Sequence, residues 1–382
     1  MSDTNVVLLG VGAIGRELLR QLATNHRTSV SSIRICGLVD RSGFVFEPAG
    51  LSWRRVMELR AHKAVGNSLA TAVGGRASSP ADAVDTITAK SGGLSRTNRV
   101  LVDATAADTL PLLETALARG CDLVLANKLP LAGAQQVHDR LHDAAGAGRR
   151  RILHEATVGA GLPVIDTLHK LVDAGDRVLA IDGCPSGTLG FLFGELGKGR
   201  SFSSALRDAV AAGYTEPDPR TDLSGIDVAR KALILARLLG FRGDLDDVAV
   251  ESLVPASLRE VTTDAFLARA SELDEQWNSN VDAARSQGCV LRYRARVTRK
   301  SISIGLAHVP AGDPLSTLNG TDNQFAFTTS RYRTQPLVIT GPGAGPAVTA
   351  AGVYNDLLSL ASTRGPSGAR QRKVVREKVA VL

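Results

Sequence analysis

Residues 5–22 read NVVLLGVGAIGRELLRQL. The first six, NVVLLG, are a short apolar run carrying β-branched residues, which predicts a buried strand. The remainder has apolar positions at helical spacing, so the order is strand, glycine turn, helix. Gly10, Gly12 and Gly15 fit the spacing G-x-G-x-x-G at that junction, with Ala13 and Ile14 filling the turn. In such a turn the first glycine closes the bend and the second lets a pyrophosphate approach the backbone. The third permits close helix–strand packing, while the helix N-terminus faces the anion. The next strand, 33–39, ends in Asp40, where a carboxylate accepts from the adenosine ribose hydroxyls. These features together predict a dinucleotide site. Asp40 favours NAD; its neighbour Arg41 is placed to meet the 2′-phosphate of NADP. The balance leans to NAD.

Working outward, strand and helix alternate. RVLVDAT (99–105) is another buried strand, bringing Ala104 and Thr105 to its carboxyl end beside the cofactor. A helix over 108–119, the strand 122–127 (DLVLAN) and a helix near 131–147 come next. The stretch 43–98 reads as polar and irregular, with one helix at 52–62. Alternation of this kind means an α/β fold, a doubly wound parallel sheet of Rossmann type. After about residue 150 the pattern changes. Residues 288–310 and 323–340 alternate like antiparallel strands, and GPGAGPAVTAAGV (341–353) opens a last helix. The expected division is a dinucleotide domain over 1–152, a second α+β domain over 153–340 for substrate and dimerisation, and a basic tail over 366–382.

A chain of 382 residues with 44% hydrophobic and 22% charged residues has the composition of an ordinary globular protein. It has no apolar run long enough for a membrane span. The strand begins so near the N-terminus that no targeting segment is expected. Four cysteines without a CxxC pair fit reduced thiols in the cytoplasm. The net charge of +7 sits largely between Arg364 and Leu382, where six basic residues face one acid, Glu377. Without aromatic–basic interleaving or a nucleic-acid module, the tail reads as solvated, and no nucleic-acid partner is expected.

Charge is harder to explain in residues 213–240, GYTEPDPRTDLSGIDVARKALILARLLG. Glu216, Asp222 and Asp227 lead into Lys231, and an almost wholly apolar helix comes after them. Asp227 and Lys231 stand at i,i+4 and share one helix face. A paired charge on a buried helix is costly unless further partners satisfy it. If the dinucleotide accepts a hydride, another group must take the substrate's hydroxyl proton. His138 and His142 lie on a polar helix without a third ligand and are poor candidates for metal chemistry. Lysine can serve when burial or a nearby cation lowers its pKa. The candidates are Lys231 and Lys128, the latter placed just after LVLAN at a strand's carboxyl end. An amino-acid substrate would account for the acids, because its ammonium needs carboxylate acceptors.

GYTEPDPRTDLSGIDVARK resembles the substrate signature of the homoserine dehydrogenase family. The resemblance extends through LVLANK (123–128), HEATVGAGLP (154–163), SGTLGFLF (186–193) and GPGAGPAVTAAGV (341–353), in the family's order. It implies reversible NAD(P)-dependent interconversion of L-homoserine and L-aspartate 4-semialdehyde, with Lys128 and Lys231 as catalytic lysines. It implies that Glu216, Asp222 and Asp227 bind the amino alcohol or hold the lysine, and that Gly187, Thr188 and Tyr214 line the same pocket. Lys128, Gly343 and Gly345 would also meet the cofactor, the last two by returning to a dinucleotide domain completed by 341–365. Glu155 with the carbonyls of Val158, Ala160 and Leu162 would hold a monovalent cation, usually sodium. A homodimer is implied. The Cys184–Pro185 pair departs from the family pattern, and the chain stops short of the regulatory domain of many bacterial members, so threonine feedback through such a domain is not expected. Two other readings compete: a paralogue acting on another γ-hydroxy amino acid, and an inactive NAD(P)-binding module.

Overall fold

The computed structural model describes residues 4–26, 33–90 and 98–362; the basic stretch read at 366–382 lies outside them. Contacts divide the chain into two units. The first runs up to Gly161 and resumes at Gly345; the second is Leu162–Ala344.

Seven strands build the sheet of the first unit. They are β1 (Thr4–Leu9), β2 (Ile33–Asp40), β3 (Gly43–Phe46), β4 (Arg76–Ala77), β5 (Asn98–Asp103), β6 (Asp122–Leu125) and β7 (Ile152–Leu153). Their order is β4-β3-β2-β1-β5-β6-β7. β1, β2, β5, β6 and β7 are parallel, and β3 and β4 add antiparallel edges. All six residues of β1 are buried, as expected of a strand covered on both faces. The chain leaves β1 toward β2 on one side and reaches β5 on the other. Between β1 and β5 lies the switch point, outside whose carboxyl ends ligands bind in open sheets of this kind.

The segment 43–98 is more regular than its sequence suggests. Besides the helix Trp53–Ala64 it holds β3, β4, a 3-10 turn at Leu69–Thr71 and the helix Pro80–Lys90. Strands of four and two residues are too short to show a period. The second helix does carry a signal, since Ala83, Val84 and Ile87 are fully buried at helical spacing.

The helix Pro346–Ser362 returns to complete the first unit. Ala350, Val353, Leu357 and Leu360 recur on one face and enter the core that holds Val6, Leu8, Leu18 and Leu19. Each larger side chain so buried contributes roughly 1.5–3 kcal/mol. Two glycines set how closely the helix docks. A Cβ on Gly352 would stand 2.5 Å from the Ala160 oxygen, and one on Gly161 would stand 2.4 Å from the Val348 oxygen.

The second unit contains β8 (Val178–Cys184), β9 (Ala249–Val250), β10 (Cys289–Val297), β11 (Ile302–Pro310), β12 (Asp322–Thr329) and β13 (Leu337–Pro342). The order is β13-β12-β8-β10-β11-β9, antiparallel except for the short β11–β9 pair. The helices Gly187–Gly197 and Ile226–Leu238 belong to this unit, and the latter buries every residue from Lys231 to Arg237. Among the described residues no helix is long and apolar enough to cross a membrane.

Candidate active site

In the first unit, the glycine turn is built as its spacing requires. Gly10 adopts φ +94°, and a Cβ there would meet the Ala104 carbonyl and the Thr105 methyl at under 3 Å. A Cβ on Gly15 would fall 2.1 Å from the Gly10 oxygen, so only glycine lets the helix start this close to β1. Around Gly12, by contrast, nothing lies within 4 Å of a Cβ position. Gly12 is the N-cap of the helix Ala13–Asn25, which has no side-chain cap and no acid in its first turn. The first N–H groups of that helix, from Ala13 and Ile14 on, thus have no side-chain cap, the arrangement that suits a phosphate.

Asp40 closes β2, but its carboxylate is engaged within the protein. Oδ1 accepts from the Ser42 N–H (2.8 Å), the Ser42 hydroxyl (2.5 Å) and the Gly43 N–H (3.2 Å). Oδ2 accepts from Lys63 Nζ at 2.6 Å and from the Leu69 N–H at 3.1 Å. Burial works to raise its pKa, yet the bonds from Lys63 and Ser42 hold the carboxyl below its ordinary range. The group expected to meet the ribose thus organises its own loop and balances a lysine, while Arg41 beside it is exposed. No sequence period links positions 40 and 63, so nothing in the sequence singles out Lys63.

Ala104 and Thr105 lie just past β5 at the switch point. Lys128, partly buried, is the N-cap of the short helix Leu129–Ala132. Glu155, Val158 and Ala160 form a buried turn; the Glu155 N–H donates to Asp356 Oδ2 at 2.9 Å. Gly159 and Ala160 take φ +78° and +56°. A left-handed alanine is strained, and residues strained in this way cluster at functional sites. Gly345 (φ +115°) precedes the Pro346–Ser362 helix and accepts from the Thr349 N–H.

The second unit holds the remaining candidates. Gly343 packs against Asn323, where a Cβ would stand 1.9 Å from the amide carbon, so a local contact already accounts for this glycine. Leu162 begins the unit, and its carbonyl accepts from the Val164 N–H at 2.8 Å. Gly225, at φ +75°, opens the helix Ile226–Leu238; a Cβ there would strike the Tyr293 hydroxyl at 2.0 Å. Lys231 is 9% exposed. Its ammonium pairs with Asp227 at 2.8 Å and donates to the Pro185 carbonyl at 2.7 Å. The lysine's second partner is thus a backbone carbonyl, which any residue at position 185 would supply.

Asp222 ties the preceding loop together. Its Oδ1 lies 2.9 Å from the Thr188 hydroxyl, and its Oδ2 accepts the Glu216 N–H at 2.9 Å. The Thr188 hydroxyl also lies 2.5 Å from the Tyr214 carbonyl oxygen. Burial pushes the Asp222 carboxyl above the usual carboxylate range, and the nearby Asp227 adds to that. Thr188 is in turn fixed by Gly187, whose Cβ would meet the Thr321 oxygen at 2.9 Å. Tyr214 remains 44% exposed, edge-on to Phe191, and the Glu216 side chain is exposed. A fourth acid, Asp218, pairs with Arg220, which also donates to the carbonyls of Leu258, Arg259 and Val261. Charge at the mouth of this helix therefore divides between fixing the loop and flanking Lys231.

A family model described as homoserine dehydrogenase matches residues 163–358, and one described as its NAD-binding domain matches 10–155. A homoserine dehydrogenase of Schizosaccharomyces pombe is 34% identical, with 94% of this chain and 96% of that protein covered. A chloroplastic bifunctional aspartokinase/homoserine dehydrogenase of Zea mays is 37% identical over 94% of this chain. The chain spans 39% of the length of that relative. Among solved structures, a Candida auris protein of unknown function superposes with a TM-score of 0.83 at 30% identity, covering 94% of this chain and 99% of that one. A hyperthermophilic archaeal homoserine dehydrogenase solved with NADPH shares the fold, with a TM-score of 0.72 at 24% identity over 95% of this chain and 99% of that one.

Proposed function

Because the chain belongs to the homoserine dehydrogenase family, we propose that it interconverts L-homoserine and L-aspartate 4-semialdehyde with a nicotinamide dinucleotide. The observation that carries this reading is Lys231, buried on an apolar helix and held by Asp227 and the Pro185 carbonyl beside the Thr188–Asp222 loop. Those contacts fix the ammonium at one place without covering it by a second carboxylate. A bound dinucleotide would supply hydride transfer to and from the alcohol carbon. In the reduction the Lys231 ammonium gives a proton to the carbonyl oxygen, and in the oxidation its neutral amine takes the hydroxyl proton, with Lys128 as the second catalytic lysine. Glu216, whose carboxylate is exposed, is the acid free to accept the substrate's ammonium. Asp222 shapes the loop that presents it. Initial rates of homoserine oxidation test the proposal. Turnover of another γ-hydroxy amino acid in preference to homoserine would replace it with the paralogue reading, and no turnover would leave a binding module.

A lean to NAD requires a carboxylate free for the ribose. With Asp40 held by Lys63, that reason falls away, and Arg41 stands exposed beside it. We expect NADP to serve at least as well as NAD, in keeping with the NADPH complex of the archaeal relative. Lys63→Met should leave Asp40 uncompensated and lower the NADP/NAD ratio of kcat/KM about tenfold, the effect of roughly 1.4 kcal/mol. An unchanged ratio would place the 2′-phosphate elsewhere.

Glu155 with the carbonyls of Val158, Ala160 and Leu162 is proposed to hold a monovalent cation. A buried carboxylate and carbonyls turned by positive-φ residues are oxygen donors suited to a hard ion. Sodium chloride should then raise the melting temperature above that in choline chloride of equal ionic strength, and Glu155→Gln should abolish the difference. The chain is also proposed to form a homodimer, which light scattering at twice 40.1 kDa would reveal.

A further inference from the structure

We propose that Asp103 and Asn127, to which the proposed chemistry gives no role, are positioning residues that set the backbone on which Lys128 stands. The inference rests on Lys128 being catalytic. Asp103 ends β5 and is 0% exposed, and Asn127 is 3% exposed. Asp103 Oδ1 accepts from the Thr105 N–H at 3.0 Å and its hydroxyl at 2.7 Å. Its Oδ2 accepts from the Thr109 hydroxyl at 2.5 Å and from Asn127 Nδ2 at 3.1 Å. A buried carboxyl is tolerated when its lone pairs are used, and here four donors use them.

One carboxyl therefore ties two turns together. Its first oxygen fixes Thr105, against which Gly10 packs, and its second fixes Asn127, the residue before Lys128. Asn127 passes the constraint on. Its Nδ2 also donates to the Ala107 carbonyl at 2.8 Å, and its Oδ1 accepts the Leu129 N–H at 3.1 Å. Lys128 is thus spanned by a side-chain bond from the residue before it to the residue after it. The helix beyond it, Leu129–Ala132, has four residues; the Lys128 carbonyl accepts from the Leu131 and Ala132 N–H groups, and Asn127 takes up the Leu129 N–H, which has no partner within the helix. A lysine whose backbone rides on that bond keeps one direction, and a misplacement of about 1 Å in a reacting group costs on the order of a hundredfold in rate.

The test compares Asn127→Ala, Asn127→Asp and Lys128→Ala in the full chain, reading kcat, NADPH affinity by fluorescence and the melting temperature. Asn127→Ala should lower kcat by about ten- to a hundredfold while NADPH affinity stays within about threefold, because both Thr105 bonds to Asp103 remain. Asn127→Asp keeps the acceptor for Leu129 but sets a second carboxyl near Asp103. Two such groups share one proton, and that proton restores the missing donor. The kcat of Asn127→Asp relative to wild type should therefore rise as pH falls from about 9 to about 6, a behaviour that a merely structural role would not produce. A ratio flat with pH, or wild-type kcat in Asn127→Ala, overturns the inference even if Lys128→Ala is inactive. Full turnover in Lys128→Ala removes the role of Lys128 and this inference with it.

Discussion

Lys231 is tolerable inside its helix because two acceptors of different kinds meet it, a carboxylate four residues back and a carbonyl 46 residues away. Removing the side chain deletes a buried methylene stem and leaves the Pro185 oxygen and Asp227 without their ammonium, so some stability is lost. Lys231→Ala, and likewise Lys128→Ala, should lower kcat at least about a hundredfold with the fold intact, the lower range for a lost acid–base group. Near wild-type turnover in both would refute the lysine chemistry. Asp222 offers a test by pH. Its carboxyl is raised in the folded protein, so the stability it lends is present below the unfolded value and is lost as pH rises through the folded one. Asp222→Asn cannot ionise. Its melting temperature relative to wild type should therefore be more favourable at neutral pH than in the acid carboxylate range, and a pH-independent difference would refute the assignment. At this scale the sequence is legible where partners lie four apart, as in the Asp227–Lys231 pair. It is silent where they lie far apart, as with Lys63 on Asp40 or Asp103 on Asn127.

Among elements, the glycine turn is readable because three constraints coincide within six residues: a bend, an open helix end and a packed crossing. The short strands β3 and β4 are not, because pairing, of β3 with β2 and of β4 with β3, rather than periodicity makes them strands. The docking of the Pro346–Ser362 helix falls between these cases. Its apolar face is legible, whereas its closeness depends on Gly161 and Gly352 meeting oxygens of the opposite segment. Gly352→Val would drive a side chain into the Ala160 carbonyl, and about 1–3 kcal/mol should be lost, the usual cost of overpacking. Urea unfolding followed by NADPH binding would measure it, and unchanged stability would show that the helix can shift.

For the whole molecule, the first unit is discontinuous in sequence and the second is inserted within it. The ends of the insertion adjoin, since Gly341 approaches the Leu162 side chain. The fragment 162–344 should therefore give a cooperative thermal transition by itself, whereas a chain stopped before Gly345 should fail to bind dinucleotide. A fragment 162–344 without such a transition would show that the insertion needs its host.

During synthesis this arrangement imposes a wait. The seven strands of the first sheet leave the ribosome early, but the helix that fills their apolar groove is made only after the whole insertion, about 180 residues later. At roughly 5–20 residues per second the groove stays uncovered for on the order of ten to forty seconds. The nascent chain must spend that interval with an oily, half-built sheet facing crowded surroundings, while the later-born insertion is free to fold first. Variants that weaken the last helix would then show their defect in yield of newly made protein, and would respond to chaperone supply, before any loss appears in the purified protein.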